Sequence, residues 1–228
     1  MKELSVQVSE SRFVGLLLAF AGGILDAYTY INRGEVFATA ETGNMVMMGV
    51  HLARGIWGEA LYYLFPILAF SAGVLCTDAM RLRFEAPSAS VHWRQPLLLM
   101  ECLVIALVAF LPLGALDPLA NILISFTSAV QIESFRKFEG CACATTMCTG
   151  NLRSGTEAMF QWFRTGEVKR LHTAKLYFGL IFAFILGAIS NAFLTTVLSG
   201  HSVLLACLPL LWAFALMFQE TKSNEKGR

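Results

Sequence analysis

The sequence predicts an all-α, polytopic helical membrane protein, and three observations carry that prediction. Hydrophobic residues fill 56% of the 228 positions and charged residues only 14%, against roughly 25% charged in an ordinary soluble domain. The apolar residues are gathered into runs of membrane-crossing length, with a mean hydropathy of +0.62 over the whole chain. The positive charges lie between those runs and gather in alternate loops, on one side of the membrane. So few charges cannot cover a water-facing surface, which makes lipid the natural solvent for most of the chain. This disfavours a nucleic-acid-binding protein, a disulfide scaffold and a disordered chain.

A helix rises about 1.5 Å per residue, so crossing roughly 30 Å of hydrocarbon takes about 20 mostly apolar residues. Six runs approach that length, at about 13–31, 60–77, 96–114, 118–135, 176–199 and 202–219. The first contains Asp26, the third Glu101 and the fourth Glu133, while the other three are uncharged. Lipid cannot hydrogen-bond a bare backbone, and these runs lack the alternation of a barrel strand, so they are expected to be helices. Ala19-Phe20-Ala21 imitates a signal-peptide cleavage site, but the apolar run continues to Ile31. It is read as an uncleaved first helix. Residues 1–11 and 221–228 read as short solvated tails.

Two further stretches, about 36–52 and 141–160, are long enough to cross but polar. The first carries Glu41 and His51, the second Arg153 and Glu157, and each contains Thr-Gly-Asn. Positive residues favour cytoplasmic loops. If neither stretch crosses and the N-terminus is cytoplasmic, 14 of the 17 Lys and Arg lie inside, Arg33 and Arg54 lie outside, and Arg153 is undecided. If both cross, the division becomes 10 against 6. Six spans with both ends inside are therefore expected. Trp57, Tyr62, Tyr63, Trp93 and Trp162 then fall near span ends, where amphipathic aromatics prefer to sit.

Shifting the chain against itself by 107 residues lays Thr42-Gly43-Asn44 on Thr149-Gly150-Asn151. The same register pairs Asp26 with Glu133, Tyr28 with Phe135 and Thr39 with Thr146. With seven extra residues in the second copy, Phe70–Gly73 falls on Phe184–Gly187. Each copy then holds one span, one Thr-Gly-Asn segment and two more spans: residues 1–114 form the first repeat and 115–220 the second, with 221–228 a cytoplasmic tail. Three crossings is an odd number, so the second copy would enter the membrane from the opposite face. Inverted repeats of this kind are common among transporters.

Glycine permits the sharp turn of a re-entrant or broken segment, and Thr or Asn can cap the helix that follows. Broken backbone at membrane depth is tolerated where protein buries it or where it lines a watery cavity. Two such breaks facing each other would form a polar pathway, whose expected residues are Asp26, Thr42, Gly43, Asn44, Gln131, Glu133, Thr149, Gly150 and Asn151. The alternative is that Thr-Gly-Asn only starts a short helix inside the bundle. Intramembrane carboxylates usually mark pathways, proton relays or ion pairs. Asp26, Glu41 and Glu101 are the candidates for proton exchange. Glu41 argues against a purely anion-selective site, and Glu133 has a bland alternative as a helix-end pair with Arg136 or Lys137.

Cys76, Cys102 and Cys207 read as apolar packing. Cys141, Cys143 and Cys148 could supply three soft ligands, but Gly34, Val36 and Glu41 occupy the equivalent positions of the first copy. No metal and no cofactor are expected. The chain carries no phosphate-binding loop, His-Glu-x-x-His or dinucleotide fingerprint, so no enzyme is expected. The expected partners are the lipid bilayer, a small solute or ion, and a second copy of the chain. No nucleic acid is expected. A small-solute or ion transporter or channel leads, with a non-transporting scaffold or sensor subunit as the alternative.

Gly22-Gly23-Ile24-Leu25-Asp26-Ala27-Tyr28, followed by Phe37-Ala38-Thr39-Ala40-Glu41-Thr42-Gly43-Asn44, resembles the opening motif of the YoaK-like family of bacterial membrane proteins, also described as domain of unknown function 1275. Gln131-Ile132-Glu133-Ser134-Phe135-Arg136 and Thr145-Thr146-Met147-Cys148-Thr149-Gly150 look like its second signature. The resemblance covers essentially the whole chain. It implies a six-span protein of the bacterial inner membrane and brings no substrate or binding residues. Glu41 stands where an apolar residue is usual and Glu133 where Asn or a small polar residue is usual.

Overall fold

The computed structural model describes residues 7–84 and 94–226. Lys2, Trp93 and Arg228, which enter the charge and aromatic arguments above, lie outside the described residues. Among the described residues the chain is all-α apart from one two-stranded hairpin. Its elements are α1 (Arg12–Asn32), α2 (Glu41–Ala53), α3 (Trp57–Phe84), α4 (Arg94–Ala109), α5 (Asp117–Ser134), β1 (Lys137–Phe138), β2 (Cys141–Ala142), α6 (Cys148–Thr165), α7 (Val168–Leu198) and α8 (Cys207–Lys226). A 3-10 stretch, Ser199–Ala206, joins α7 to α8.

Among the described residues, three helical stretches are long and apolar enough to cross a membrane: Arg12–Asn32, Trp57–Arg83 and the 52-residue Val168–Gln219, which holds α7, the 3-10 stretch and α8 as far as Gln219. They play different parts. Two-thirds of the α1 window is buried inside the protein, against 28% and 22% of the other two. The outer helices carry large bare apolar side chains, among them Leu75, Leu82, Phe193 and Val197. A contiguous apolar exterior of this kind is costly in water and natural in lipid.

The helices lie close where side chains are smallest. Gly23 of α1 faces the Phe184 carbonyl of α7, and Gly187 of α7 faces the Phe20 carbonyl of α1; a Cβ at either glycine would overlap that oxygen. Gly73 of α3 meets the Phe126 carbonyl and the Ala129 methyl of α5 in the same manner. Small residues let helix backbones approach where lipid supplies no hydrophobic drive. Thus α1 packs on α7 and α3 on α5, while α2 lies on α3 and α6 on α7.

Several boundaries differ from the sequence expectation, each for a local reason. The 96–114 run stops being helical at Ala109, because Pro112 lacks an N–H and restricts the residue before it. Helix α7 begins at Val168, eight residues before the expected 176, since exposed Lys169 and Arg170 tolerate helix as well as loop. The N-terminal segment is not a free tail from Val8 onward. Val8–Glu10 forms a 3-10 turn in which Ser9 is buried, Arg94 donates to Ser9 Oγ at 3.0 Å, and the Glu139 N–H donates to the Glu10 carbonyl at 2.8 Å. At the other end, α8 stays helical to Lys226.

Arg33, an ordinary loop charge in the sequence, is fully buried just past α1. Its Nε donates to Tyr28 Oη (2.9 Å) and its two terminal nitrogens to Asp117 Oδ1 (2.9 Å) and to the carbonyls of Val108, Leu111 and Pro112 (3.0, 2.9 and 3.0 Å). Helix C-termini leave carbonyls without intrahelical partners. One guanidinium binds three carbonyls around the end of α4, that of Val108 in its last turn and those of Leu111 and Pro112 in the loop beyond.

Candidate functional site

Each Thr-Gly-Asn opens a helix. Glu41 starts α2 and Cys148 starts α6, so Thr42–Asn44 and Thr149–Asn151 fill the first turns. The preceding residues, Ala40 and Met147, make no side-chain capping bond, which leaves the first N–H groups free of a side-chain cap. Helix α2 has only 13 residues, about 20 Å at 1.5 Å per residue, too short to cross about 30 Å.

The asparagines do not cap their own helices. Asn44 reaches back to Phe37, accepting from its N–H (3.1 Å) and donating to its carbonyl (2.9 Å), and also donates to Glu41 Oε2 at 2.7 Å. Asn151 donates to the Ala144 carbonyl at 2.6 Å. In both cases the partner lies seven residues earlier, so each asparagine pins the connector that leads into its helix. Asn44→Ala strips several buried polar atoms of their partner and should cost about 1–3 kcal/mol; Asn151→Ala, losing one bond, should cost about 1 kcal/mol. Denaturant unfolding in detergent micelles measures both.

The two connectors meet. Asp26 of α1 accepts from the Thr39 N–H at 2.8 Å, and the Thr146 hydroxyl donates to the Thr39 carbonyl at 3.1 Å. Thr39 and Thr146 are 107 residues apart, the same separation as the two Thr-Gly-Asn triplets. Gly22 of α1 makes room for the Thr146 methyl group.

A cavity of about 720 Å³ lies around this junction. Asp26, Thr39, Glu41, Thr42 and Gly43 line it from one side, and Thr146, Cys148, Thr149 and Gly150 from the other. Phe37, Phe70 and Phe184 supply aromatic wall, with Met45, Met147 and Ile67 beside them. The starts of α2 and α6 therefore face one space, and Asp26 and Glu41 are the acids in its lining.

Other residues singled out in the sequence lie elsewhere. Asn44 and Asn151 are buried behind the lining in their pinning bonds. Gln131 is buried in α5, accepting from the Thr145 hydroxyl at 3.5 Å. Glu133 joins an ion cluster at the ends of α3 and α5, paired with Arg136 and lying 3.9 Å from Arg81, while Arg136 also bonds Asp78 at 3.0 Å. Glu101 is buried on α4 near Cys207. Cys141, Cys143 and Cys148 are free thiols, and among the described residues no group of three or more His, Cys, Asp or Glu converges as a metal site would require. Sequence reasoning missed the aromatic wall, because Phe37, Phe70 and Phe184 look like any lipid-facing phenylalanine until the helices are assembled.

Apolar helices of spanning length and a lipid-suited exterior define a multi-pass helical membrane protein. The chain belongs to the family described as protein of unknown function (DUF1275), which matches residues 14–216. It is 27% identical over 148 residues to the UPF0700 transmembrane protein YoaK of Bacillus subtilis (strain 168), an alignment covering 60% of this chain and 62% of that protein. The match thus spans less than two-thirds of that relative's length. No solved structure matches the chain.

Proposed function

We propose that this protein is a small-solute or ion transporter or channel of the bacterial inner membrane, with both termini cytoplasmic. In this reading it has six spans arranged as two inverted three-span halves, and α2 and α6 are the re-entrant segments. The observation that carries the proposal is the meeting of Thr39 and Thr146 at a cavity faced by the starts of both helices. Inverted repeats place substrate sites where discontinuous helices from the two halves converge. The exchange of partners supports the same symmetry: α1 lies on α7 as α5 lies on α3, and α2 on α3 as α6 on α7.

Thiol accessibility tests it. In a chain whose native cysteines are replaced, Thr42→Cys and Thr149→Cys should each react with a small membrane-impermeant thiol reagent, because both line the one cavity. Failure of both to react in the folded protein ends the proposal. Flux in reconstituted vesicles should also respond to Asp26→Asn. A second reading, a non-transporting scaffold or sensor subunit, draws on Asn44 and Asn151, whose side chains are spent on backbone. Under it the two engineered thiols stay dry.

A further inference from the structure

We infer that the cavity between α2 and α6 takes a small organic cation, an amine or quaternary ammonium with an apolar body, with Asp26 and Glu41 as counter-charges. The inference names the substrate class of the pathway proposed above and rests on that reading. Charge comes first. The lining holds Asp26 and Glu41 and no Lys, Arg or His among the described residues. The two helix starts contribute about +0.5 elementary charge each, so the two carboxylates, when both are ionised, leave a net charge of about −1. An anion is repelled by that balance and a cation is drawn in.

Glu41 is 9% exposed and lines the cavity, and its two oxygens differ. Oε2 is held by Asn44 at 2.7 Å, whereas Oε1 has no hydrogen-bond partner among the described residues. The Ser125 hydroxyl neighbours the same carboxyl group. A carboxylate held this far from water is stabilised by a positive charge in the adjacent cavity, which need not form a hydrogen bond to act.

Size and wall chemistry then separate an organic cation from a bare ion. The cavity of about 720 Å³ lies within the range of roughly 300–1,000 Å³ found for organic ligands, and far exceeds the roughly 30 Å³ share of one water. A bare metal ion would want several converging oxygen or sulfur ligands, and no group of three such side chains is present among the described residues. Phe37, Phe70 and Phe184 instead wall the cavity, and an aromatic ring attracts a cation that lies over its face within about 6 Å.

Isothermal titration of the full-length protein in detergent with benzyltrimethylammonium, and separately with benzenesulfonate, tests the inference. The cation should bind and the anion should not, and both Asp26→Asn and Glu41→Gln should weaken the cation at least tenfold. Each variant keeps an oxygen for its internal partner, Thr39 N–H or Asn44 Nδ2, and its melting temperature checks the fold. Should one variant fail to fold, the other together with the cation–anion comparison decides. Preferred binding of benzenesulfonate overturns the inference, as does absence of cation binding or affinity unchanged in the folded variants. The pathway reading is judged separately by thiol labelling, which needs no ligand.

Discussion

Arg33→Ala is expected to lower the unfolding free energy by about 3–5 kcal/mol, the cost of breaking a buried charge pair by removing one partner. The residue is fully buried, and its guanidinium binds Asp117, Tyr28 and three carbonyls around the end of α4. Its own carbonyl is used as well, accepting from Tyr62 Oη at 2.6 Å and from Asn121 Nδ2 at 2.8 Å. Removing the side chain leaves Asp117 without its ion pair and takes a donor from each of the Val108, Leu111 and Pro112 carbonyls. Arg33→Lys should recover little, because a single ammonium cannot reproduce the planar fork. Unfolding in mixed micelles, followed by circular dichroism, measures both variants. A loss below about 1 kcal/mol, the worth of a solvated surface pair, would show that the site is not sealed.

The second large effect is steric. Gly187→Ala and Gly23→Ala should each destabilise by about 3 kcal/mol, the upper end of the usual overpacking cost. The obstacle is a backbone carbonyl, Phe20 for Gly187 and Phe184 for Gly23, and backbone cannot rotate aside as a side chain can. Either methyl group must therefore push α1 and α7 apart. Gly49→Ala is the matched control. It lies inside α2 with nothing within 4 Å of an added Cβ, so replacing a helix-interior glycine should gain about 0.5–1 kcal/mol. Equal effects at Gly49 and Gly187 would mean that the close crossing does not hold in the folded protein.

Neither effect could be read from a single stretch of sequence. Arg33 was counted there with the loop charges because nothing local distinguishes a solvated arginine from one that reaches α4, 75 residues or more away. Glu133 shows the opposite case: Arg136 three residues later announced the pair that the structure contains. Asp26 was legible as an unusual acid in an apolar run. Its bond to the Thr39 N–H was not, since that bond depends on where the chain returns after α1. The 107-residue spacing was visible as a text match, and the contact between Thr39 and Thr146 gives that spacing a location.

Composition and hydrophobic run length determined that this chain is helical and belongs in a membrane, because solvent choice depends on apolar area summed along the sequence. The Thr-Gly-Asn triplets likewise fall at the two helix starts, although in the first helical turns and not as the turn and cap expected of them. Which helices touch, which charges are buried and which phenylalanines wall a cavity were decided only in three dimensions. Those properties belong to pairs of residues far apart in the chain, brought together by close packing at Gly23, Gly73 and Gly187.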